Sequence, residues 1–251
     1  VLHYQPKINV SDRSVVGVEA LVRWNNPEHG LLQPDSFIPI IELGDSIIEL
    51  THWVINQALV DYKMWEEQGV NLDVSINVST LNIQDEKFVS DVNKILLEHR
   101  VNPGKIRLEI TESVIMADTK RAIKTISDLD FMGVGISIDD FGTGYSSLSY
   151  LKEIPVNELK IDKSFVMNME TDDNDAVIVR STIDLAHNLG LKVTAEGVES
   201  SGALELLDIL GCDRVQGFYI CPPITTERLV PWIKKWEEKK PSLVVPINKD
   251  S

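Results

Sequence analysis

"LHYQPKINVSDRSVVGVEALV", Leu2 to Val22, decides the fold. It holds two strand-like runs, Leu2 to Ile8 and Val15 to Val22, joined only by "NVSDRS". That link is too short for the helical crossover that parallel neighbours need, so the two runs form an antiparallel hairpin. Further strand-like runs follow: "LDVSINV" from Leu72, "KIRLEI" from Lys105, "VGISID" from Val134, "ELKID" from Glu158, "KVTAEG" from Lys192 and "DRVQG" from Asp213. Amphipathic stretches at 46–68, 86–99, 120–132, 175–189 and 202–210 lie between most of them. Gly69, Gly133, Gly190 and Gly211 each follow such a stretch, as helix-ending glycines do. Alternation of this kind predicts an α/β fold, a modified TIM (β/α)8 barrel with one antiparallel strand.

The composition sets bounds. At 251 residues, 43% hydrophobic and 25% charged, the chain can bury a large core. The formal net charge of -15 argues against a DNA or RNA polymer as partner. An anionic ligand would have to be met through cations. No apolar run approaches the ~18 residues of a membrane span. Residues 1–240 read as one domain of a larger, multidomain protein, and 241–251 as a tail or linker. Cys212 and Cys221 have no partners at metal spacing and read as reduced thiols, which suits the cytoplasm. The histidines His3, His29, His52, His99 and His187 form no metal-binding spacing.

Side chains alternate faces along a strand. Glu19 has Val18 and Val16 on the opposite face; Asn77 has Ile76 and Val74; Glu109 has Leu108 and Ile106. Asp139 has Ile138 and Ile136, and Glu196 has Ala195 and Val193. One face is apolar and suits a ring of helices. The other is small or polar and ends in an acid, an amide or, at Lys160, an amine. Arg107, on the face of Glu109, breaks the pattern. In a barrel these second faces point to the lumen. Glu19, Asn77, Glu109, Asp139, Asp140, Lys160 and Glu196 then converge at the C-terminal mouth. So many carboxylates need cations, and an oxygen-rich set without His or Cys suits Mg²⁺ or Mn²⁺, as two ions per site.

The chain carries, in order, "YQP" at Tyr4, "EALVRW" at Glu19, "INVS" at Ile76, "EITES" at Glu109, "DDFGTGYSSL" at Asp139, "LKID" at Leu159, "AEGVE" at Ala195 and "QGF" at Gln216. This ordered set resembles the motifs of the EAL domain family of cyclic di-GMP phosphodiesterases. The resemblance implies hydrolysis of cyclic di-GMP to linear pGpG, with Mg²⁺ or Mn²⁺ as activators; Ca²⁺, with its larger and looser coordination, is expected to inhibit. It implies metal ligation by Glu19, Asn77, Glu109, Asp139, Asp140 and Glu196, with Asp139 bridging. Lys160 and Glu196 resemble the family's catalytic lysine and candidate base. Gln5, Leu21, Arg23, Asp162, Glu199 and Gln216 resemble its substrate contacts. Glu112 and the loop Phe141, Gly142, Thr143, Gly144, Tyr145, Ser146 and Ser147 resemble the element that couples metal binding to a homodimer. The alternative is a cyclic di-GMP receptor module with little turnover. Sensory or cyclase domains of the same protein are further partners that the resemblance implies.

Overall fold

The computed structural model describes residues 1–44, 46–143 and 150–239. Eight strands form a closed ring: β1 (Leu2–Asn9), β2 (Val15–Val22), β3 (Asp73–Asn77), β4 (Ile106–Thr111), β5 (Gly135–Phe141), β6 (Glu158–Ile161), β7 (Lys192–Ala195) and β8 (Arg214–Val215). They lie in sequence order, and β8 closes on β1. β1 is antiparallel to both of its neighbours, and every other adjacent pair is parallel. The short link of residues 10–14 has this consequence: it turns the chain straight back and leaves no room for a helix.

Helices pack outside: α1 (Ser46–Glu67), α2 (Phe88–His99), α3 (Thr119–Phe131), α4 (Asp173–Asn188), α5 (Ser201–Ile209) and α6 (Thr226–Lys239). The outward strand residues Val18, Ile76, Leu108, Ile138, Leu159 and Val193 are buried beneath them. Gly69, Gly133, Gly190 and Gly211 all have positive φ, the backbone state that ends a helix.

The structure adds elements that the strand and helix patterns do not announce. A small hairpin pairs Trp24–Asn26 with Gly30–Leu32. Ile224–Thr225 adds to the edge of β1, and α6 follows it. β5 does not stop at Asp139. It bulges between Ile138 and Phe141, and Asp140 takes a left-handed φ of 53°. Aspartate is among the few non-glycine residues that tolerate this region. β6 ends at Ile161, and Asp162 instead caps the turn Lys163–Val166 by accepting from the Ser164 amide at 3.0 Å.

The lumen has two tiers. In the lower one, Glu158 lies 3.3 Å from Arg107 and 2.8 Å from Arg214, and accepts from Thr194 Oγ1 at 2.5 Å. This accounts for Arg107, whose guanidinium would stand 3.3 Å from a Cβ at Gly135. Its partner is an acid two strands away, on β6.

At the upper rim, backbone crowding sets a hard limit. A Cβ at Gly217 would meet the Val198 carbonyl oxygen at 2.1 Å and its nitrogen at 2.3 Å. Neither atom belongs to a movable side chain. Gly217→Ala is expected to cost about 1–3 kcal/mol. Urea unfolding should show a lower midpoint at unchanged slope. An unchanged midpoint would refute the crowding argument.

Candidate active site

Lys160 is the centre of the mouth. It is fully buried on β6, so its ammonium needs anionic partners. Nζ lies 2.5 Å from Glu109 Oε2, 2.5 Å from Glu196 Oε1, 3.0 Å from Asp139 Oδ1 and 3.8 Å from Glu19 Oε2. Glu19 is held from both sides: Asn77 Nδ2 donates to Oε1 at 2.7 Å, and Gln216 Nε2 to Oε2 at 2.7 Å. Gln216 also donates to Gln5 Oε1 at 2.9 Å, and Gln5 Nε2 donates to the Cys221 carbonyl at 3.0 Å. Six strands, β1 to β6, and the segments just after β7 and β8 thus converge on one cluster.

The bulge in β5 aims Asp140 at the same point. Its backbone N–H donates to Asp139 Oδ1 at 3.0 Å. Asp139, Asp140 and Glu196 each offer a carboxylate oxygen, all within 4.8 Å of one another. Burial drives the Glu196 and Asp139 carboxyls above the ordinary carboxylate range; Lys160 opposes this, and the neighbouring acids reinforce it. Asp140 is raised by burial and by Asp162 beside it. Five carboxylates, Glu19, Glu109, Asp139, Asp140 and Glu196, share this region with two ammoniums, Lys7 and Lys160. Five minus two leaves a formal excess of three negative charges. That excess, carried on oxygen donors, fits hard divalent cations.

Beside the ring opens a cleft of about 530 Å³. Gln5, Glu19, Leu21, Arg23, Glu196, Glu199 and Gln216 all line it. Arg23 is buried, and its Nη1 donates to the Val22 carbonyl at 2.8 Å. Asp162 stands outside that lining, next to Asp140. Glu112 is buried at the start of the turn Glu112–Ala117, directly after β4. Of the expected loop, Phe141 is buried, Gly142 has φ of 98° and Thr143 Oγ1 donates to the Asp140 carbonyl at 2.9 Å. Gly144, Tyr145, Ser146 and Ser147 lie outside the described residues, as does the expected tail.

Several residues here escape the sequence reading. Lys163, Met167 and Phe218 line the cleft, and Phe218 is 64% exposed. An exposed aromatic beside a cleft is a stacking surface. Only the tripeptide "QGF" signalled it. Lys7 is the larger omission. It is 2% exposed, and Nζ donates to Ser75 Oγ at 2.8 Å and to Glu109 Oε1 at 2.5 Å. Glu109 is therefore clamped between two ammoniums. An inward lysine next to "QP" on the polar face of β1 was the available signal.

The profile of the EAL domain matches residues 1–223. Among curated proteins, the chain is 42% identical over 231 residues to the bifunctional diguanylate cyclase/cyclic di-GMP phosphodiesterase MucR of Pseudomonas aeruginosa, covering 92% of this chain and 34% of that protein. It is 33% identical over 234 residues to the cyclic di-GMP phosphodiesterase PA2567 of the same species, covering 93% of this chain and 40% of that protein. The chain thus spans roughly a third of the length of these relatives. Among solved structures, the PaMucR phosphodiesterase in complex with c-di-GMP superposes with a TM-score of 0.88 at 42% identity, covering 91% of this chain and 93% of that one.

Burial alone would raise the Glu109 carboxyl. Lys160 and Lys7 together more than reverse this and bring it down to about 2. A depressed carboxylate stabilises the fold fully above its unfolded value near 4.5, and that stability is lost as the pH falls toward 2. Lys7→Met should cost about 3 kcal/mol at neutral pH by leaving a buried charge half compensated. The difference from wild type should shrink as the pH is lowered through that window. Urea titrations at several pH values measure it; a constant difference would refute the clamp.

Proposed function

Because the chain belongs to the EAL domain family, we propose that it is a phosphodiesterase that hydrolyses cyclic di-GMP to linear pGpG. The carboxylate ring around Lys160 carries this reading. A receptor alone needs no buried oxygen cluster with excess negative charge. Glu19, Asn77, Glu109 and Asp139 would hold one Mg²⁺ or Mn²⁺ ion; Asp139, Asp140 and Glu196 would hold a second. Such ions polarise phosphoryl oxygens and make water nucleophilic near neutral pH.

The chain's own residues do the rest. Gln5, Leu21, Arg23, Asp162, Glu199 and Gln216 bind and orient the dinucleotide, with Arg23 suited to a phosphate oxygen pair. Phe218 offers a face for a guanine ring. Water adds to one phosphorus, the P–O3′ bond breaks, the departing 3′-oxygen takes a proton from solvent, and the product keeps a 5′-phosphate and a 3′-hydroxyl. Glu196, in its deprotonated form, accepts the proton of the attacking water. Lys160 stays charged beneath the carboxylates and supplies its positive field from there as negative charge grows on the phosphoryl oxygens. No helix among the described residues is long and apolar enough to cross a membrane. We read the domain as cytoplasmic, homodimeric, and joined to sensory or cyclase domains in its parent protein.

The deciding experiment incubates the chain with cyclic di-GMP and Mg²⁺ or Mn²⁺ and follows pGpG. Glu19→Ala and Asp139→Asn should each reduce turnover by roughly 10²-fold or more with the fold intact. Ca²⁺ in place of Mg²⁺ should lower it by roughly tenfold or more, since its loose coordination suits in-line chemistry poorly. Binding without any pGpG over hours would favour the receptor reading instead. A second measurement concerns protons. Glu196 and Asp139 hold protons above the ordinary range, so a divalent cation must displace them. Calorimetric Mn²⁺ titrations in buffers of different ionisation enthalpy should report net proton release at pH 6. Buffer-independent heats would count against these ligands.

A further inference from the structure

The barrel's outer flank carries a second cleft, of about 360 Å³, outside the lumen and its carboxylate ring. α6 is amphipathic twice over. Leu229, Val230 and Ile233 turn inward and are buried. Trp232, Lys235, Trp236 and Lys239 recur at i, i+3, i+4 and i+7, so they form one stripe. All four line the cleft, with Leu204 of α5, Tyr219 and Arg13 as the other walls. A surface stripe of this spacing usually pairs large apolar residues with a packed neighbour. Here the aromatic rings remain half-buried and Tyr219 is 46% exposed.

The site is built, not a chance gathering. The Trp232 and Trp236 rings lie nearly parallel, 5.3 Å apart at 21°. Trp236 Nε1 donates to the Arg13 carbonyl at 2.8 Å, which ties the aromatic stack to the turn between β1 and β2. Arg13 itself holds a left-handed φ of 58°, an uncommon state for arginine, and such strain gathers at ligand clamps. Its Nη2 meets Asp208 of α5 at 3.0 Å. Arg13, paired with Asp208, and the two ammoniums Lys235 and Lys239 line one groove of a chain whose net charge is -15. The volume sits at the low end of the range of about 300–1,000 Å³ typical of small-molecule sites.

We propose that this cleft binds a small aromatic phosphate, of the size and chemistry of a nucleoside monophosphate. The ring lies against the tryptophan stack or Tyr219. The phosphate lies between Lys235, Lys239 and the Arg13 turn. Base stacking tolerates any base, because every base has a π-face. Ammonium groups supply the charge match for the phosphate. α6 begins beyond residue 223, so Trp232, Lys235, Trp236 and Lys239 lie outside the stretch that matches the family, while Arg13, Leu204 and Tyr219 lie within it. The inference is independent of the phosphodiesterase reading.

The test uses the whole chain, ¹⁵N-labelled, with AMP as probe, since adenine is absent from the proposed substrate. Trp232→Phe and Trp236→Phe assign the two indole signals. Both signals should shift saturably with AMP, while those of the other tryptophans stay still. Adenosine alone and inorganic phosphate alone should bind roughly tenfold more weakly or worse, because each supplies half of the recognition. The double substitution Lys235→Glu, Lys239→Glu should weaken AMP binding by roughly tenfold or more with the circular dichroism spectrum and cyclic di-GMP turnover unchanged. No saturable shift at those indoles would overturn the proposal. So would shifts equal in size and midpoint in the charge-reversed protein, or phosphate alone binding as well as AMP.

Discussion

One buried ammonium organises this protein. Lys160 has no contact with water, yet four carboxylates face it within 3.8 Å. Neither side of that arrangement is tolerable without the other. An unpaired ammonium at this depth would lose its proton, and the acids without it would repel and protonate. The barrel is what brings them together. Parallel strands aim their C-terminal ends at one mouth, so acids far apart in the chain become neighbours. The reversed strand β1 contributes differently. Gln5 lies level with Glu19, while Lys7 lies level with Gly17, one layer deeper. From there the Lys7 ammonium crosses the lumen to the underside of Glu109. A helix-bearing crossover would have made β1 parallel and turned this order around.

Much of this was legible. The length of "NVSDRS" excludes a crossover, and the two-residue alternation separates lumen from helix-facing residues on five strands. Those two facts yield the barrel, its reversed strand and the convergence of Glu19, Asn77, Glu109, Asp139, Lys160 and Glu196. What stayed hidden has physical causes. A bulge depends on local backbone choice, so a period-two reading ends the strand where β5 in fact continues past Asp140. Lys7 was hidden because its height in the lumen depends on strand direction as well as face. Arg107 looked anomalous because its partner, Glu158, enters from β6 rather than a neighbouring strand. Phe218 and Met167 lie on connecting segments, where no periodicity separates a cleft wall from an ordinary exposed side chain.

The two tiers of the lumen show how to tell structural charge from chemical charge. Below, Glu158 is held by the Lys7 ammonium, then by Arg107 and Arg214 and by the Thr194 hydroxyl, so its carboxyl lies below the ordinary range despite burial. That tier is electrostatically complete and acts as a plug. Above, the carboxylates outnumber the ammoniums, and Asp139 and Glu196 are pushed the other way. The upper tier also meets the cleft: Asn77 is exposed and Asp140 and Glu196 are part-exposed, whereas Glu158 is buried. Charge balance and access both separate the two tiers.

That imbalance has a cost. Packing alone would favour amides or aliphatic groups at Asp139 and Glu196, which would relieve the repulsion and need no counter-ion. The chain instead keeps acids where they destabilise it. Asp140 adds to this by holding a left-handed backbone that glycine would adopt more readily. Glycine would satisfy the bulge but supply no carboxylate. Such a position fits the metal ligation proposed above. A hard divalent cation would offset both costs, because each added positive charge would convert the same repulsion into coordination.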